Sequence, residues 1–286
     1  MSIDQRPGVL AIRQKGWLAA HRWLLLRRLS QLTVLLLFAS GPLAGFWVLK
    51  GNLAASRLFD AVPLADPFIL LQGLAAGSVA AASAIVGAAI IAGLYLVAGG
   101  RAYCSWVCPI NLITDTAAWL RQRLMIGEGL QLHRSLRYWM MAMVVLLTVV
   151  TGILAWELIN PVTLLHRGLF FGMGLAWTVP AAIFCFDLLV SKRGWCGHLC
   201  PVGGFYSVLG LASLIRVRAA GRARCSGCMD CYAVCPEPQV LAPALKGKAG
   251  ESPVVLAANC TNCGRCIDVC AEEVFSFGSR FTSNNK

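Results

Sequence analysis

The chain of 286 residues is strongly apolar: 58% of its residues are hydrophobic, 13% are charged, and its mean hydropathy is +0.68. This composition excludes an ordinary water-soluble globule, in which about a quarter of the residues are charged. The formal net charge of +12 is compatible with nucleic-acid binding. However, the basic residues lie beside apolar segments and form no single stripe, so membrane topology explains them more simply and no nucleic-acid partner is expected.

Residues 1–30 are predicted to be a cytoplasmic N-terminal segment ahead of the first apolar run. Its last basic residues, Arg27 and Arg28, directly precede that run and therefore resemble a twin-arginine export signal. We favour a membrane span over an export signal, because the region before the pair is long and no A-x-A cleavage site closes the apolar run.

Residues 31–215 are predicted to be a membrane domain with four transmembrane helices. An α-helix needs roughly 20 apolar residues to cross the hydrocarbon core of a bilayer. Four apolar stretches approach or exceed that length, at about residues 31–49, 70–98, 138–158 and 169–190. Four tryptophans near the predicted span ends are typical of an interfacial belt: Trp47, Trp139, Trp156 and Trp177.

Lysine and arginine alternate between the two sides of the predicted spans. The segments before, between and after the spans contain 6, 2, 5, 1 and 11 basic residues in chain order. Because loops rich in lysine and arginine stay in the cytoplasm, we expect a multi-pass protein of the bacterial inner membrane with both termini in the cytoplasm.

A ten-residue motif occurs twice in the membrane domain, at residues 101–110 and 193–202. Both copies contain an arginine, an aromatic residue, the spacing C-x3-C-P and a β-branched residue at matching positions. Each copy follows an even-numbered predicted span. The predicted membrane fold is therefore a pair of helix-pair repeats, each followed by a segment with amphipathic character such as residues 110–124.

The cysteines of this repeated motif are Cys104, Cys108, Cys196 and Cys200. In a helix, the i, i+4 spacing would place both thiols of a pair on one face. The two pairs together could then form a redox or metal site, a third iron–sulfur centre being one form of it. The alternatives are free thiols that pack a tight turn, or a redox-labile disulfide. His198, inside the second copy, is a candidate ligand or proton carrier, against the alternative of a hydrogen-bonded loop histidine.

Residues 216–286 are predicted to be a cytoplasmic α+β domain of the bacterial 2[4Fe-4S] ferredoxin type. Eight cysteines form two runs with the spacing C-x2-C-x2-C-x3-C, first Cys225, Cys228, Cys231 and Cys235, then Cys260, Cys263, Cys266 and Cys270. Three closely spaced thiolates can bind three irons of one cluster, whereas the fourth cysteine projects away along a short helix and binds the other cluster. We therefore predict one [4Fe-4S] cluster on Cys225, Cys228, Cys231 and Cys270, and a second on Cys260, Cys263, Cys266 and Cys235.

Zinc and structural disulfides are the alternatives for these eight cysteines. Both fit poorly, because zinc sites take four ligands from C-x2-C pairs and cytoplasmic cysteines stay reduced. The linker at residues 237–259 is long for a compact two-cluster ferredoxin and predicts a surface excursion.

Several short sequence motifs resemble those of the NapH family of membrane ferredoxin-type proteins, which are associated with periplasmic nitrate reductase. These motifs are Cys104-Ser-Trp-Val-Cys-Pro-Ile-Asn, Trp195-Cys-Gly-His-Leu-Cys-Pro-Val-Gly, Cys235-Pro-Glu-Pro and Cys263-Gly-Arg-Cys. Segments within the predicted spans are similar too, so the resemblance covers nearly the whole chain. Methylamine-utilisation ferredoxin proteins and nitrous oxide reductase regulators share these modules, so the pathway is less closely defined than the chemistry.

The resemblance implies a component of a quinol dehydrogenase. Such a protein takes electrons from menaquinol or ubiquinol and passes them toward the nitrate reductase, with a NapG-like ferredoxin partner and a multihaem cytochrome as a further carrier. Quinol oxidation also needs a base, and the candidates are Glu157 and Asp187, because carboxylates at membrane depth are costly and mark functional sites. A solvated or capped carboxylate is the alternative for both, and Asp60 and Asp66 in the first predicted periplasmic loop are weaker candidates.

A protein of another class fits the same motifs. It is a membrane anchor and maturation or assembly factor for a periplasmic reductase, in which the clusters sense redox state. The cytoplasmic position expected for the ferredoxin-like domain favours this alternative, because nitrate reduction in the resembling system takes place on the other side of the membrane.

Overall fold

The computed structural model describes residues 7–127, 129–247 and 252–281. Residues 248–251, in the middle of the linker singled out above, therefore lie outside the described residues, as does most of the C-terminal end.

Contacts divide the chain into two compact units. The first contains residues 1–30, 95–107 and 206–286, and the second contains residues 31–94 and 108–205. These units differ from the three predicted domains, because the N-terminal segment and residues 95–107 group with the ferredoxin-like part. The first copy of the repeated motif is thus divided between the units, with Cys104 in the first and Cys108 in the second.

The described residues are mainly helical, as predicted. In chain order the helices are α1 (Val9–Lys15), α2 (Trp17–Ala20), α3 (Arg22–Ala44), α4 (Pro67–Ala75), α5 (Ala82–Ala98), α6 (Ala102–Trp106), α7 (Ile110–Arg123), α8 (Leu136–Thr151), α9 (Ala155–Ile159), α10 (Pro161–Phe171), α11 (Thr178–Cys185), α12 (Pro201–Gly210), α13 (Asp230–Val234), α14 (Ala242–Lys246) and α15 (Arg265–Val269). Two π-helical turns, Phe186–Val190 and Trp195–Leu199, follow α11.

Two small antiparallel sheets accompany the helices. Strands β1 (Leu49–Gly51), β2 (Ala55–Leu58) and β3 (Val62–Ala65) form a meander in the second unit, with Leu49 opposite Leu58 and Leu58 opposite Val62. Strands β4 (Ile215–Arg218) and β5 (Ser276–Ser279) pair in the first unit. Helices and a short antiparallel ribbon together give this unit the α+β character predicted for a ferredoxin-like domain.

Helices α4 and α10 begin in the same way, because each starts with a capping Asp or Asn followed by proline. Asp66 and Asn160 are the N-cap residues, and their side-chain oxygens accept hydrogen bonds from backbone N–H groups at 2.8 and 3.1 Å. A proline follows each cap, where its missing N–H costs no intrahelical hydrogen bond. The strong start at Asp66 places a helix boundary just ahead of the predicted second span.

The four predicted spans are not confirmed as four long helices. Among the described residues, α3 is the one helix both long and apolar enough to cross a membrane, with 23 residues and mean hydropathy 1.3. The predicted span 70–98 is broken between α4 and α5, where Gly77 adopts a left-handed φ of 79° and ends the first helix. Helices α5, α8 and the segment Gly174–Val190 are apolar but shorter than α3.

The second unit buries polar side chains among its apolar helices. Gln72 is fully buried, and its Oε1 accepts hydrogen bonds from the Trp156 backbone N–H at 3.2 Å and the Thr148 hydroxyl at 3.4 Å. Trp156 itself is 2% exposed and lies parallel to Trp195, with ring centroids 6.5 Å apart. The prediction that Trp156 belongs to an interfacial belt is therefore wrong, since its indole packs inside the unit.

The core of the first unit lies beneath the ferredoxin cysteines. The buried core contains Val217, Val240, Leu241, Val255 and Phe275. The cysteine buried with them is Cys266. The apolar residues thus come from β4, the linker and the segment before β5, which packs both cysteine runs against one core.

Candidate metal centres

The two cysteine runs have the same backbone conformation. Two residues before the third cysteine of each run, Met229 and Gly264 have φ of 63° and 72°, and one residue before the second cysteine, Gly227 and Asn262 have φ of 75° and 46°. Left-handed residues between right-handed ones turn successive N–H groups toward one point, and such concave arrangements bind anions, including the sulfides of iron–sulfur clusters. The runs use glycine at opposite positions to reach this shape.

A short helix follows each loop and ends at the fourth cysteine. Helix α13 runs from Asp230 to Val234 with Cys235 as its C-cap, and α15 runs from Arg265 to Val269 with Cys270 as its C-cap. The two helices pack against each other. Because each helix carries its last cysteine away from its own loop, it can deliver that thiol to the other loop.

The structure groups the eight thiols into two cavities within the first unit. Cys225, Cys228, Cys231 and Cys270 line the first, which we call site 1. Cys235, Cys260, Cys263 and Cys266 line the second, which we call site 2. Each cavity thus combines three cysteines of one run with the fourth of the other. Among the described residues, no group of three or more His, Cys, Asp or Glu side chains is arranged to hold a single metal ion, and a four-iron cube keeps its ligand sulfurs farther apart than a single ion does.

The electrostatics of the thiols favour a highly charged cation centre. Burial, followed by the nearby thiols of its own site, raises the pKa of Cys231 to about 11. Burial also raises the pKa of Cys260 to about 11, and burial with neighbouring thiols raises the pKa of Cys266 well above its ordinary value. Metal binding requires thiolates. The positive charge of iron would offset both the burial and the mutual repulsion, so the donor set fits iron–sulfur clusters.

The two sites differ in their exposure to solvent. Residues 223–229, which contain the first two cysteines of site 1, are exposed throughout. In site 2, Cys263 and Cys266 are buried. Solvent can therefore reach the edge of site 1 directly, whereas other residues of the first unit shield the thiols of Cys263 and Cys266 in site 2.

Residues of the segment 95–107 cover the loop of site 2. The Ser105 hydroxyl donates to the Thr261 carbonyl at 2.7 Å, and the Trp106 indole N–H donates to the Asn262 carbonyl at 3.0 Å. The Asn262 amide in turn donates to the Ala98 carbonyl at 3.0 Å. Since Ser105 and Trp106 directly follow Cys104, the first repeated motif and the loop of site 2 are joined by hydrogen bonds.

A buried ion pair holds the same segment to the linker. Arg101 Nη1 lies 2.8 Å from Glu237 Oε1 and 3.0 Å from the Asn259 carbonyl oxygen, and both charged side chains are almost fully buried. Arg101 is the arginine of the first repeated motif. Its counterpart Arg193 pairs with Asp115 of α7 at 3.3 Å within the second unit. The sequence showed that both copies share this arginine, but it did not show either partner.

Within the second unit, the structure brings one cysteine from each copy of the motif to a common apolar cluster. Cys108 and Cys196 both pack against Ile110, Leu165 and Ile183. The Cys196 thiol also lies 3.9 Å from the Thr114 hydroxyl on α7, and Cys200 directly precedes α12. The helix predicted at residues 110–124 is confirmed as α7, which packs along α11.

The three catalytic candidates have different surroundings. Glu157 Oε2 accepts a hydrogen bond at 3.0 Å from the amide of Asn160, which caps α10, so this carboxylate has a structural partner. Asp187 is fully buried, and its Oδ1 accepts a hydrogen bond from the Trp195 N–H at 2.9 Å, while no described residue donates to its Oδ2. His198 lies half-buried in the π-helical turn between Cys196 and Cys200.

These features define a ferredoxin-type iron–sulfur protein. Comparisons with known proteins agree. A 4Fe-4S dicluster domain family matches residues 224–274, and a 4Fe-4S binding domain family matches residues 80–126 and again residues 173–219. The two latter matches contain the two copies of the repeated motif, with Cys104 and Cys108 in one and Cys196 and Cys200 in the other.

Relatives match nearly the whole chain. The ferredoxin-type protein NapH of Haemophilus influenzae is 51% identical over 93% of both chains, and NapH of Escherichia coli is 50% identical over 96% of both. The methylamine utilization ferredoxin-type protein MauN of Methylorubrum extorquens is 52% identical over 94% of this chain and 93% of its own. No solved structure matches the chain. The chain therefore belongs to the family of ferredoxin-type proteins that includes NapH and MauN, which confirms the resemblance found in its motifs.

Proposed function

We propose that this protein is a multi-pass inner-membrane component of a quinol dehydrogenase. It takes electrons from menaquinol or ubiquinol and passes them through iron–sulfur centres toward periplasmic nitrate reductase, with a NapG-like ferredoxin as partner and a multihaem cytochrome as a further carrier. The observation that carries the proposal is the hydrogen-bonded contact between the loop of site 2 and the residues that follow Cys104. This contact connects the ferredoxin-like part with the motif that both membrane repeats share.

The two cavities are the proposed cluster-binding sites. Site 1 holds one [4Fe-4S] cluster and site 2 holds the other, and when bound they supply one-electron carriers that divide the electron pair of a quinol. The chain supplies eight thiolates, the N–H groups of the left-handed loops and a dry surrounding for site 2. These features set the position and the electrostatic environment of each cluster.

Cys104, Cys108, Cys196 and Cys200 are proposed to act together as a third redox or iron–sulfur site. The match of each motif copy to a 4Fe-4S binding domain supports this, and so does the packing of Cys108 and Cys196 on one apolar cluster. Ligands of one centre fail together, whereas independent packing residues have roughly additive effects. We expect Cys108→Ser and Cys196→Ser each to abolish quinol-linked electron transfer, and the double variant to be no worse. Cys185→Ser, which changes an exposed cysteine outside the motif, is the matched control. Near-normal activity in either single variant would make these cysteines packing residues.

Asp187 is the candidate base that the geometry favours. Its Oδ1 is held by the Trp195 N–H next to Cys196, and its Oδ2 remains available to accept a proton or a hydrogen bond. We expect Asp187→Asn to lower the turnover of quinol strongly, while Glu157→Gln, which alters a capping interaction, has a smaller effect. The measurement is quinol-dependent reduction in isolated membranes, with cluster spectra recorded to verify assembly.

The central test is whether quinol reduces the iron–sulfur centres in membranes that contain this chain. Reduction that a quinol-site inhibitor blocks is the expected result. If dithionite reduces the centres and quinol does not, the chain instead serves as a membrane anchor and redox-sensing maturation factor.

The pathway and the topology need their own measurements. Identity to NapH and to MauN is nearly equal, so the nitrate route is tested by loss of quinol-linked nitrate reduction when the gene is deleted. If both termini are cytoplasmic, a reporter that works only in the cytoplasm should be active when it is fused after residue 286. A reporter that works only in the periplasm should be active when it is fused at Ser56 or Arg167. A periplasmic C-terminal reporter would overturn this topology.

A further inference from the structure

Arg27 is buried, and its resemblance to part of a twin-arginine export signal does not explain this burial. It is 1% exposed, although it lies on α3 between exposed Leu26 and half-buried Arg28. A buried guanidinium loses its hydration, and this loss must be compensated by nearby negative charge or hydrogen bonds. The surroundings of the first turns of α3 show where that compensation comes from.

The start of α3 is attached to the helix of site 2. The Asp268 carboxylate accepts hydrogen bonds from the backbone N–H groups of Trp23 at 3.0 Å and Leu24 at 2.9 Å. These are N–H groups of the first helical turn, which have no intrahelical acceptor. Asp268 belongs to α15, between the cluster cysteines Cys266 and Cys270. A side chain of the ferredoxin-like part therefore caps the helix that carries Arg27.

Trp23 brings the same face of α3 against the loop of site 2. A Cβ atom added at Gly264, the residue after Cys263, would lie 2.6 Å from the Trp23 ring, so ring and backbone are in close contact. Residues four apart share one face of a helix. Arg27 therefore lies one turn beyond Trp23 on the face that meets site 2.

Two arginines lie beside the ligands of site 2. Arg265 lines the cavity together with Cys263 and Cys266, and Arg27 is buried on the face of α3 that packs against the same loop. Asp268 carries the opposing negative charge, and the Arg101–Glu237 pair is neutral as a whole. At site 1, by contrast, the charged residues that line the cavity are Asp230, Lys246 and Glu272.

We propose that Arg27, assisted by Arg265, raises the reduction potential of the cluster held in site 2 by stabilising its reduced form. Reduction adds one electron and thus one negative charge, which a buried cation favours because little solvent screens it. The proposal rests on the proposed cluster assignment. The beginning of α3 therefore contributes to the electrostatic environment of the metal centre. A raised potential suits an acceptor of electrons from quinol, which is a weak reductant.

The test is a chemical redox titration of the full-length protein in detergent, followed by electron paramagnetic resonance. Arg27→Gln should lower the midpoint potential of one cluster, corresponding to a decrease of roughly tenfold in its equilibrium constant for reduction. The affected cluster should be the one that Cys235→Ser removes, and the other cluster should keep its potential. Arg27→Lys keeps the charge and should stay close to the unmodified protein. Arg22→Gln, which removes an exposed charge from the same helix, should change neither potential.

Several outcomes would overturn the proposal. They are an unchanged midpoint in Arg27→Gln, an equal shift of both clusters, or a shift to higher potential. If Arg27→Gln fails to assemble the cluster, Arg265→Gln decides, because it should lower the same potential and an unchanged value would refute the electrostatic role. The titration uses no quinol, so absence of quinol oxidation leaves it intact. A wild-type protein without two clusters would contradict the cluster assignment instead.

Discussion

Site 1 and site 2 share one loop conformation but have different surroundings. Both loops use left-handed residues at the same two positions, and both end in a five-residue helix. The loop of site 1 is exposed, whereas hydrogen bonds from Ser105 and Trp106 cover that of site 2. Cysteine spacing thus sets the conformation of each loop, while segments distant in the chain set its exposure to solvent and to charge.

The largest expected effect concerns the shared ligation of the two sites. Cys231→Ser should damage the cluster of site 1, and Cys235→Ser that of site 2, although both cysteines belong to the same run. The reason is that α13 carries Cys235 away from its own loop. Iron analysis and electron paramagnetic resonance of each variant check this. Loss of the same cluster in both variants, or a content near four irons in the unmodified chain, would contradict it.

Breaking the buried Arg101–Glu237 pair measures how much segment 95–107 stabilises site 2. Arg101→Met should lower the stability of the first unit by about 3 kcal/mol, because it leaves the Glu237 carboxylate buried without its cation. The measurement is thermal loss of cluster absorbance in detergent, in which site 2 should be lost before site 1. Adding Glu237→Gln should recover part of the stability. A double variant less stable than Arg101→Met would show that the pair is not the cause.

Glycine substitutions compare the two loops directly. Gly227→Ala and Gly264→Ala both place a side chain at a left-handed φ, which costs about 1 kcal/mol. Only at Gly264 would the new Cβ also meet the Trp23 ring, at 2.6 Å, while open space surrounds Gly227. We therefore expect Gly264→Ala to destabilise its cluster by roughly 2 kcal/mol more than Gly227→Ala does. Equal losses of cluster stability would show that the contact with Trp23 is unimportant.

The smallest expected effect is a gain at the exposed loop. Met229 is half exposed and has a φ of 63°, so Met229→Gly relieves backbone strain and should stabilise site 1 by at most about 1 kcal/mol. Asn262→Gly is the matched change in site 2. It should instead destabilise by about 2 kcal/mol, because the buried Asn262 amide donates to the Ala98 and Ile215 carbonyls. Denaturant titrations of cluster absorbance distinguish the two signs.

Local patterns predicted the features that depend on neighbours along the chain. The cysteine spacing predicted the loops and the short helices, because three thiols within seven residues need no distant partner to converge. The fourth thiol of each cavity comes from the other run, so its position depends on the packing of α13 against α15. The repeated motif was also visible, and the same 4Fe-4S binding family matches both copies. The helix after the first copy was predicted from its amphipathic pattern and is present as α7.

Apolar length was a poorer guide to the helices around the two copies of the repeated motif. A continuous apolar run from 70 to 98 predicted one span, but a left-handed glycine divides it into α4 and α5. Trp156 was assigned to an interface because of its position near a span end, yet it packs against Trp195. Hydropathy counts apolar residues and cannot show which of them face the interior of a unit.

The family and its 4Fe-4S chemistry could be inferred from the sequence alone, because ligand type and spacing are properties of short segments, and the eight cysteines of the two runs are its predicted ligands. Tertiary packing determines which loop is buried, which arginine pairs with Glu237, and which face of α3 packs against the loop of site 2. Arg101 and Glu237 are 136 residues apart, and Trp23 and Asp268 are 245 apart. Contacts over such separations depend on how the whole chain packs, and burial then determines how strongly each charge acts.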